Sequence, residues 1–468
     1  VSTRPPRQLQ LDFGNEDPVG PDAAEPQGGQ SCAAILEKPA LDSLPTDLME
    51  QVVDRANLER AWKQVKANRG APGTDGMTTE ELAPWLTAHW PEVRGALDEG
   101  TYRPSPVRRV TIPKPDGGER LLGVPTVLDR LIQQAIAQVL VPVFDPAFSS
   151  SSYGFRPGRS AHQAVGAAAG HIEAGYRQVV DLDLDRFFDR VCHDVLMARV
   201  ARKVTDRRLL RLIRAYLGAG VMVEGVKHQT EQGTPQGSPL SPLLSNIMLD
   251  DLDTELEKRG HLFVRYADDV RIFVRTRRAA ERVMAGVTGF VEDRLRLRVN
   301  ARKSSVRPAS SATLLGFGFF FAPGGRVKVR AAPKAVKRLK ARVRKLTGRS
   351  WRVSMELRIG ALNRFTRGWM AYFRLAETPS VFRALDKWLY RRLRQVRWKE
   401  WKRYSAKRRN LRALGIPARD ARHWAISSKG CWRIAGSPVL QRALPRSYWD
   451  DLGLQSLSQS WLRLRTAT

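Results

Sequence analysis

The stretch Tyr266-Ala267-Asp268-Asp269 decides the fold, because it places two adjacent carboxylates between two β-prone runs. Leu262-Phe263-Val264-Arg265 precedes it and Val270-Arg271-Ile272-Phe273-Val274 follows it, which predicts a β-hairpin with an acidic tip. Adjacent carboxylates repel each other, so this turn gains nothing from both acids unless a cation offsets the repulsion. Hard divalent cations prefer clustered carboxylate oxygens, which favours a metal site over the alternative of a solvated acidic turn.

A second acidic cluster lies about 85 residues earlier in the chain. Val179-Val180-Asp181-Leu182-Asp183-Leu184 alternates apolar and acidic residues, as a strand does. A carboxylate at the end of a buried strand costs several kcal/mol unless a partner or a metal satisfies it. Asp183 and the acidic turn, carried on adjacent strands, could therefore share a pair of metal ions, an arrangement that serves nucleotidyl transfer.

Between the two clusters lies a loop rich in Gly and Pro. Residues 232–242 read Gln-Gly-Thr-Pro-Gln-Gly-Ser-Pro-Leu-Ser-Pro, and residues 243–257 after them are able to form a helix. A loop that opens onto a helix N-terminus presents backbone N–H groups, which suits contact with a nucleotide.

In order, spacing and residue type, these three segments resemble motifs A, B and C of reverse transcriptases. Further segments narrow the resemblance to group II intron reverse transcriptase/maturases, and together they cover about residues 55 to 465. They resemble, in chain order, the N-terminal extension, the first fingers motif, the fingers insertion, motif D, motif E and the maturase-specific helix, at residues 68–76, 112–120, 153–160, 297–304, 314–317 and 362–373.

The resemblance implies an α+β fold: a right-hand polymerase with fingers and a ferredoxin-like palm, followed by an α-helical thumb/maturase domain. The order of elements expected in residues 179–320, strand, helix, two strands, helix and strand, suits such a palm. We expect a disordered segment at 1–45, an N-terminal extension at 46–105, fingers at 106–178, the palm at 179–320, the thumb at 321–410 and a short DNA-binding segment at 411–468, without an HNH endonuclease domain.

The charge balance points to a polyanionic partner. The formal net charge is +32, and residues 326–412 contain 29 Lys or Arg against 4 acids. Three helices are expected there, starting at Pro333, near 354 and near 380. A membrane-surface protein is the alternative, but the sequence has no lipidation motif or amphipathic anchor, and residues 131–144 are expected to form a core helix. The three cysteines are far apart and form no zinc-binding pattern.

The resemblance also implies roles for individual residues. Asp183 and Asp268 are expected to be the principal Mg²⁺ ligands, with Asp269 beside them and two ions in all. The nucleotide-binding candidates are Lys114, Arg120, Phe188, Gln236, Gly237 and Lys303; the RNA-binding candidates are Lys337, Arg338, Lys340 and Arg344. Plain surface charge is the alternative for the cations, and core packing is the alternative for Phe188.

The expected function is RNA-directed DNA synthesis from dNTPs with a DNA primer on an RNA template, in the bacterial cytoplasm. The same protein would bind group II intron RNA as a maturase and contact target DNA during intron mobility. Two alternatives remain open at this point. One is a reverse transcriptase domesticated for defence or DNA repair, and the other is a maturase that only assists splicing.

Overall fold

A computed structural model describes residues 47–113, 119–223, 226–228, 232–234 and 237–466. The chain separates into two compact units: Val1–Ala164 with Val180–Val306, and Val165–Val179 with Arg307–Thr468. The segment 1–45, expected to be disordered, lies outside the described residues. The predicted domain limits inside the chain follow sequence motifs rather than compactness, and they stay predictions.

The first unit opens with three helices that pack against a fourth helix, Val127–Phe144. In chain order its elements up to the acidic strand are α1 (Leu48–Val53), α2 (Arg55–Ala67), α3 (Thr79–Asp98), β1 (Val107–Pro113), β2 (Glu119–Val124), α4 (Val127–Phe144), α5 (Ala161–Glu173) and β3 (Gln178–Asp183). Most of α5 is assigned to the second unit. Side-chain oxygens satisfy the first N–H groups of three of these helices. Asp54 caps α2, Thr78 and Glu81 form a capping box on α3, and Thr126 caps α4.

The rest of the first unit alternates helices and short strands. Its elements are α6 (Phe187–Arg190), α7 (His193–Val200), α8 (Arg207–Gly218), β4 (Val221–Val223), β5 (Val226–His228), α9 (Ser241–Lys258), β6 (Leu262–Tyr266), β7 (Asp269–Val274), α10 (Arg277–Arg294) and β8 (Ser305–Pro308). Strands β1 to β8 form two four-stranded sheets, ordered β2-β1-β4-β5 and β6-β7-β3-β8.

The hairpin predicted around the acidic turn is present. A second hairpin is also predicted by the sequence, because the β-prone runs 107–112 and 119–124 flank the turn-forming residues Lys-Pro-Asp-Gly-Gly, and these two runs do pair. β1 and β2 pair antiparallel, with Arg109 opposite Gly123, and β6 and β7 pair antiparallel, with Tyr266 opposite Asp269. The β6-β7 hairpin lies beside β3 in the second sheet, so the two acidic segments of the sequence meet on adjacent strands. This placement depends on strand order, which local alternation alone does not specify.

The most apolar helix is a core helix, as expected. Among the described residues, Val127–Ala147 alone is long and apolar enough to cross a membrane, and 61% of its most apolar window is buried inside the protein. Leu131, Ile136 and Leu140 are completely buried in the hydrophobic core of the first unit. Packing within the protein therefore accounts for the apolar character of α4.

The second unit joins a three-stranded sheet to a series of helices. The sheet has the order β11-β10-β9, built from β9 (Thr313–Leu314), β10 (Phe317–Phe321) and β11 (Val327–Ala331). The helices are α11 (Pro333–Leu346), α12 (Met355–Phe373), α13 (Pro379–Glu400), α14 (Tyr404–Ala413), α15 (Ala418–Ala425), α16 (Cys431–Ile434), α17 (Pro438–Ala443), α18 (Arg446–Asp451) and α19 (Leu457–Thr466).

The three helices predicted in the basic region are present as α11, α12 and α13, and α11 starts at Pro333. A fourth helix, α14, also lies largely in that region and was not predicted. Asp386, one of the few acids in this region, is buried and anchors the start of α19. Its carboxylate accepts hydrogen bonds from the backbone N–H groups of Leu457 (2.7 Å) and Ser458 (3.0 Å). This acid therefore serves packing within the unit, leaving its charge satisfied inside the protein.

Candidate active site

The carboxylates of the two acidic clusters lie at the ends of neighbouring strands. β3 ends at Asp183 and β7 begins at Asp269, and their side chains are 36% and 37% exposed. Burial raises the pKa of Asp183 above its ordinary value, and the negative charge of Asp269 adds to the rise. Lys303 and Arg271 oppose it. The site therefore holds repelling carboxylates together with the cations that offset them.

The segment predicted as motif D encloses Asp183. Lys303 Nζ lies 3.7 Å from Asp183 Oδ1. The backbone of Asp183 is held by the same segment: its N–H donates to Ser304 Oγ (3.0 Å) and its carbonyl accepts from the Asn300 N–H (2.8 Å). Lys303, a nucleotide-binding candidate, thus contacts an expected metal ligand, and Ser304 fixes the end of the strand.

Arg271 is a site residue that sequence reasoning did not single out. On β7, its Nη1 lies 2.8 Å from Asp181 Oδ1 and 2.5 Å from Asp269 Oδ1. The guanidinium therefore links carboxylates on two adjacent strands while its side chain is only 11% exposed. The available signal was a cation inside an otherwise apolar strand, where burial requires an anionic partner.

A buried ion pair supports the acidic turn from behind. Arg265 and Asp253 are both fully buried, and Arg265 Nη2 donates to Asp253 Oδ2 at 2.6 Å. Arg265 Nη1 also donates to Asn246 Oδ1 (2.8 Å) and to the carbonyl of Ala267 (3.1 Å). Ala267 has a φ of 57°, a left-handed conformation that costs about 1–2 kcal/mol for a residue with a Cβ. The Arg265 contacts thus stabilise a strained turn.

The segment predicted as the fingers insertion packs against the same turn. A Cβ on Gly154 would lie 2.2 Å from the backbone nitrogen of Ala267, so only glycine allows this approach. Asn246 Nδ2 donates to the Gly154 carbonyl at 3.0 Å, which ties the segment to α9. Asn246 is therefore hydrogen-bonded both to Arg265, which stabilises the acidic turn, and to Gly154, which packs against that turn.

Three predicted site residues line one cleft. A cavity of about 510 Å³ is bordered by Phe188, Gly237 and Asp268. Asn68 and Gly70, from the predicted N-terminal extension, also border it. Phe188 is half-buried rather than enclosed in the core, and its backbone carbonyl accepts from the Thr234 N–H at 2.6 Å. The structure thus brings the aromatic ring, the glycine of the predicted motif B and one acid of the hairpin to the same space.

Part of the predicted nucleotide-binding set lies outside the described residues. Lys114 and Gln236 lie outside the described residues, as does the side chain of Arg120, whose backbone pairs with Ile112 in the β1-β2 hairpin. Their roles as nucleotide-binding residues stay predictions.

The donor set suits a hard divalent cation. Among the described residues, no group of three or more His, Cys, Asp or Glu side chains is arranged to hold a metal ion. Asp183 and Asp269 nevertheless offer oxygen donors within each other's electrostatic field, and two cationic side chains already offset their charge. These carboxylates fit a divalent ion by chemistry, because hard cations prefer oxygen donors.

The RNA-binding candidates lie on one helix of the second unit. On α11 the buried face consists of Ala335, Leu339, Val343 and Leu346. Lys337, Arg338 and Arg344 are exposed and Lys340 is partly exposed. Lys340 Nζ and Arg344 Cζ lie 5.8 and 5.7 Å from the centre of the Trp388 ring on α13. Cations and an aromatic ring thus share one surface of this unit.

Comparisons with known proteins agree with this arrangement. Residues 112–319 match the family "Reverse transcriptase (RNA-dependent DNA polymerase)", and residues 336–415 match "Group II intron, maturase-specific domain". Protein YkfC of Escherichia coli is 32% identical over 53% of this chain and 76% of its own length. The group II intron-encoded protein LtrA of Lactococcus lactis is 37% identical over 41% of this chain, and a putative COX1/OXI3 intron 1 protein of Saccharomyces cerevisiae is 31% identical over 49%. The matched regions are 32% of LtrA and 27% of the yeast protein.

A polymerase-type fold with acidic strand ends, followed by a maturase-specific domain, defines a reverse transcriptase, an RNA-directed DNA polymerase. The chain belongs to the group II intron reverse transcriptase/maturase family. Members of this class of polymerase generally use divalent metal ions.

Proposed function

We propose that this protein extends a DNA primer on an RNA template with dNTPs, using Mg²⁺ ions held by Asp183 and Asp268, with Asp269 beside them. The observation that carries the proposal is the meeting of two acidic strand ends next to a cleft lined by Phe188 and Gly237. Only the hairpin register and the strand order bring these residues together.

The residues of the chain have distinct roles in this proposal. When bound, two Mg²⁺ ions would lower the pKa of the primer 3′-hydroxyl and offset charge on the leaving pyrophosphate. Asp183 and Asp268 supply oxygen donors, and Lys303 places a cation beside Asp183, where it can meet the triphosphate. The Phe188 ring lies in the cleft and excludes the 2′-hydroxyl of a ribonucleotide, while Gly237 lets the backbone approach the base pair.

The finer fold assignment supports the same proposal. The order β6-β7-β3-β8, with α9 and α10 as the connecting helices, supports the assignment of a ferredoxin-like palm. The β1-β2 hairpin is then the fingers element, and α11 to α13 form the helical thumb, or maturase domain X.

The direct test of the polymerase proposal is primer extension. Asp268→Asn removes one negative charge while keeping the side-chain shape, so extension with dNTPs and Mg²⁺ should fall by orders of magnitude. Asp194→Asn is the matched control, because Asp194 is 83% exposed and pairs with Arg214. Extension at the wild-type rate by a folded Asp268→Asn protein would refute the assignment.

We further propose that the basic surface of α11 binds intron RNA, which makes the protein a maturase as well as a polymerase. The match to the maturase-specific domain and the exposed cations on α11 support this second role. Phosphate contacts would give most of the affinity, and Lys340 and Arg344 beside the Trp388 ring would order the surface.

The salt dependence of RNA binding tests this role. Each neutralised phosphate contributes a slope of about −0.7 to −0.9 to log K against log salt. Changing Lys337, Arg338, Lys340 and Arg344 together to Gln should weaken binding and flatten the slope. Circular dichroism checks that the bundle still folds. Assistance to splicing should fall more than extension on a short template, and an unchanged slope would move the RNA-binding site elsewhere.

A further inference from the structure

Arg271 occupies an unusual position for a cation, inside the acidic cluster of a proposed metal site. Its Nη1 contacts Asp181 on β3 and Asp269 on β7, and the same atom donates to the carbonyl of Val270 at 3.0 Å. Asp181 is 14% exposed, so its carboxylate faces the guanidinium rather than solvent. A cation held by two carboxylates and a carbonyl on adjacent strands has little freedom to move away.

The charge of Arg271 matters to the whole cluster. The cluster contains four negative charges, on Asp181, Asp183, Asp268 and Asp269, and two positive charges, on Arg271 and Lys303. The cluster is thus left with a formal charge that one divalent ion neutralises. Arg271 also acts on Asp183, since its positive charge opposes part of the rise that burial causes in the pKa of that carboxyl.

Asp269 is the carboxylate most affected. Its Oδ1 accepts from Arg271 at 2.5 Å, whereas Asp183 has its nearest cation, Lys303, at 3.7 Å. A carboxylate already engaged in a short charge-assisted contact is a poorer donor to a metal ion than one with a distant partner. These contacts therefore make Asp269 a poorer metal donor than Asp183.

We propose that Arg271 is a positioning residue of the polymerase site, an inference that rests on the proposed function. It holds Asp269 against Asp181, which leaves Asp183 and Asp268 as the primary ligands. Its charge also weakens the affinity of the nucleotide-free enzyme for divalent ions. Firm metal binding then requires the oxygens of the incoming triphosphate.

Metal binding without nucleotide tests the charge effect. Mn²⁺ is the probe, and the free ion is measured by electron paramagnetic resonance. Removing one positive charge near the site should tighten Mn²⁺ binding, on the order of tenfold for Arg271→Gln. Arg271→Lys keeps the charge and should remain within about twofold of the wild type. Arg277→Gln is the control, because Arg277 is 78% exposed and pairs with Glu281 on α10.

A double variant separates charge from positioning. Arg271→Gln with Asp181→Asn has the same net charge as the wild type but lacks the bridge. Its Mn²⁺ affinity should return toward the wild-type value. Its kcat for primer extension at saturating metal should be lower than that of the wild type, because Asp269 is no longer held. If Arg271 had a purely structural role, Arg271→Gln would lower the melting temperature and leave the Mn²⁺ affinity unchanged.

The outcomes distinguish this inference from the proposed function. Wild-type Mn²⁺ affinity in folded Arg271→Gln overturns the inference, as does weaker binding. Asp183→Asn and Asp268→Asn serve as references, and both should weaken Mn²⁺ binding. If neither does, the proposed metal site itself is wrong. If both do while Arg271→Gln binds Mn²⁺ as the wild type does, only the role of Arg271 is lost.

Discussion

Asp253→Asn should cost this protein both stability and activity, although Asp253 is not among the proposed metal ligands. The carboxylate lies on α9 and is fully buried against Arg265. Arg265 Nε donates to both of its oxygens, at 2.7 and 2.9 Å, and Nη2 donates at 2.6 Å. Asn offers one acceptor oxygen and turns an amide NH₂ toward the guanidinium, which leaves a buried charge without its counterion.

The size of the effect follows from burial. Removing one partner of a fully buried ion pair costs about 3–5 kcal/mol, a large part of the 5–15 kcal/mol that holds a typical domain together. For a unit of this size, each kcal/mol lowers the melting temperature by about 2–4 °C, so a fall of about 8–16 °C is expected for a loss of about 4 kcal/mol. Primer extension should also fall, because Arg265 loses the geometry with which it binds the Ala267 carbonyl.

Denaturant unfolding and primer extension below the variant's melting temperature are the two assays. Glu255→Gln is the matched control on the same helix. Its salt bridge with Arg259 is partly exposed and spans one helical turn, so the change should cost less than about 1 kcal/mol. If the free energy of unfolding of Asp253→Asn is within about 1 kcal/mol of the wild-type value and the variant extends primers normally, the buried pair does not support the turn.

Two further predictions concern single residues of the first unit. Phe188→Val should raise the ratio of kcat/KM for rNTPs to that for dNTPs, because a smaller side chain replaces the ring that lines the cleft. An unchanged ratio in an active enzyme would mean that Phe188 is only a packing residue. Burial, together with the nearby negative charges of Asp253 and Asp251, raises the pKa of Asp250 from 3.8 to about 6. The folded protein therefore binds this proton more tightly than the unfolded chain does, and its stability falls as the pH rises from about 4 to 6. Asp250→Asn should therefore raise the free energy of unfolding by up to about 3 kcal/mol at pH 7.5 and by little at pH 4, and equal effects at both pH values would contradict this.

The local elements of this protein could be predicted from its sequence. Two β-prone runs around an acidic turn predicted the hairpin of β6 and β7, and Lys-Pro-Asp-Gly-Gly between two such runs predicted the hairpin of β1 and β2. Pro333 before an apolar stripe predicted the start of α11. These predictions succeed because turn chemistry and periodicity act within a few consecutive residues. The family was likewise recognisable from ordered motifs.

The partners of the site residues were decided only by the tertiary structure. Arg271 contacts Asp181 across 90 positions of the chain, and Gly154 contacts Ala267 across 113. Nothing in the local pattern of either strand states which strand will be its neighbour or in what register, and a shift of one residue would turn Arg271 to the opposite face of the sheet. The sequence alone therefore identified which acids are candidates for the proposed chemistry. The packing of β3 beside β7 determined which cation neutralises them, because electrostatic contacts depend on distances that only the folded chain sets.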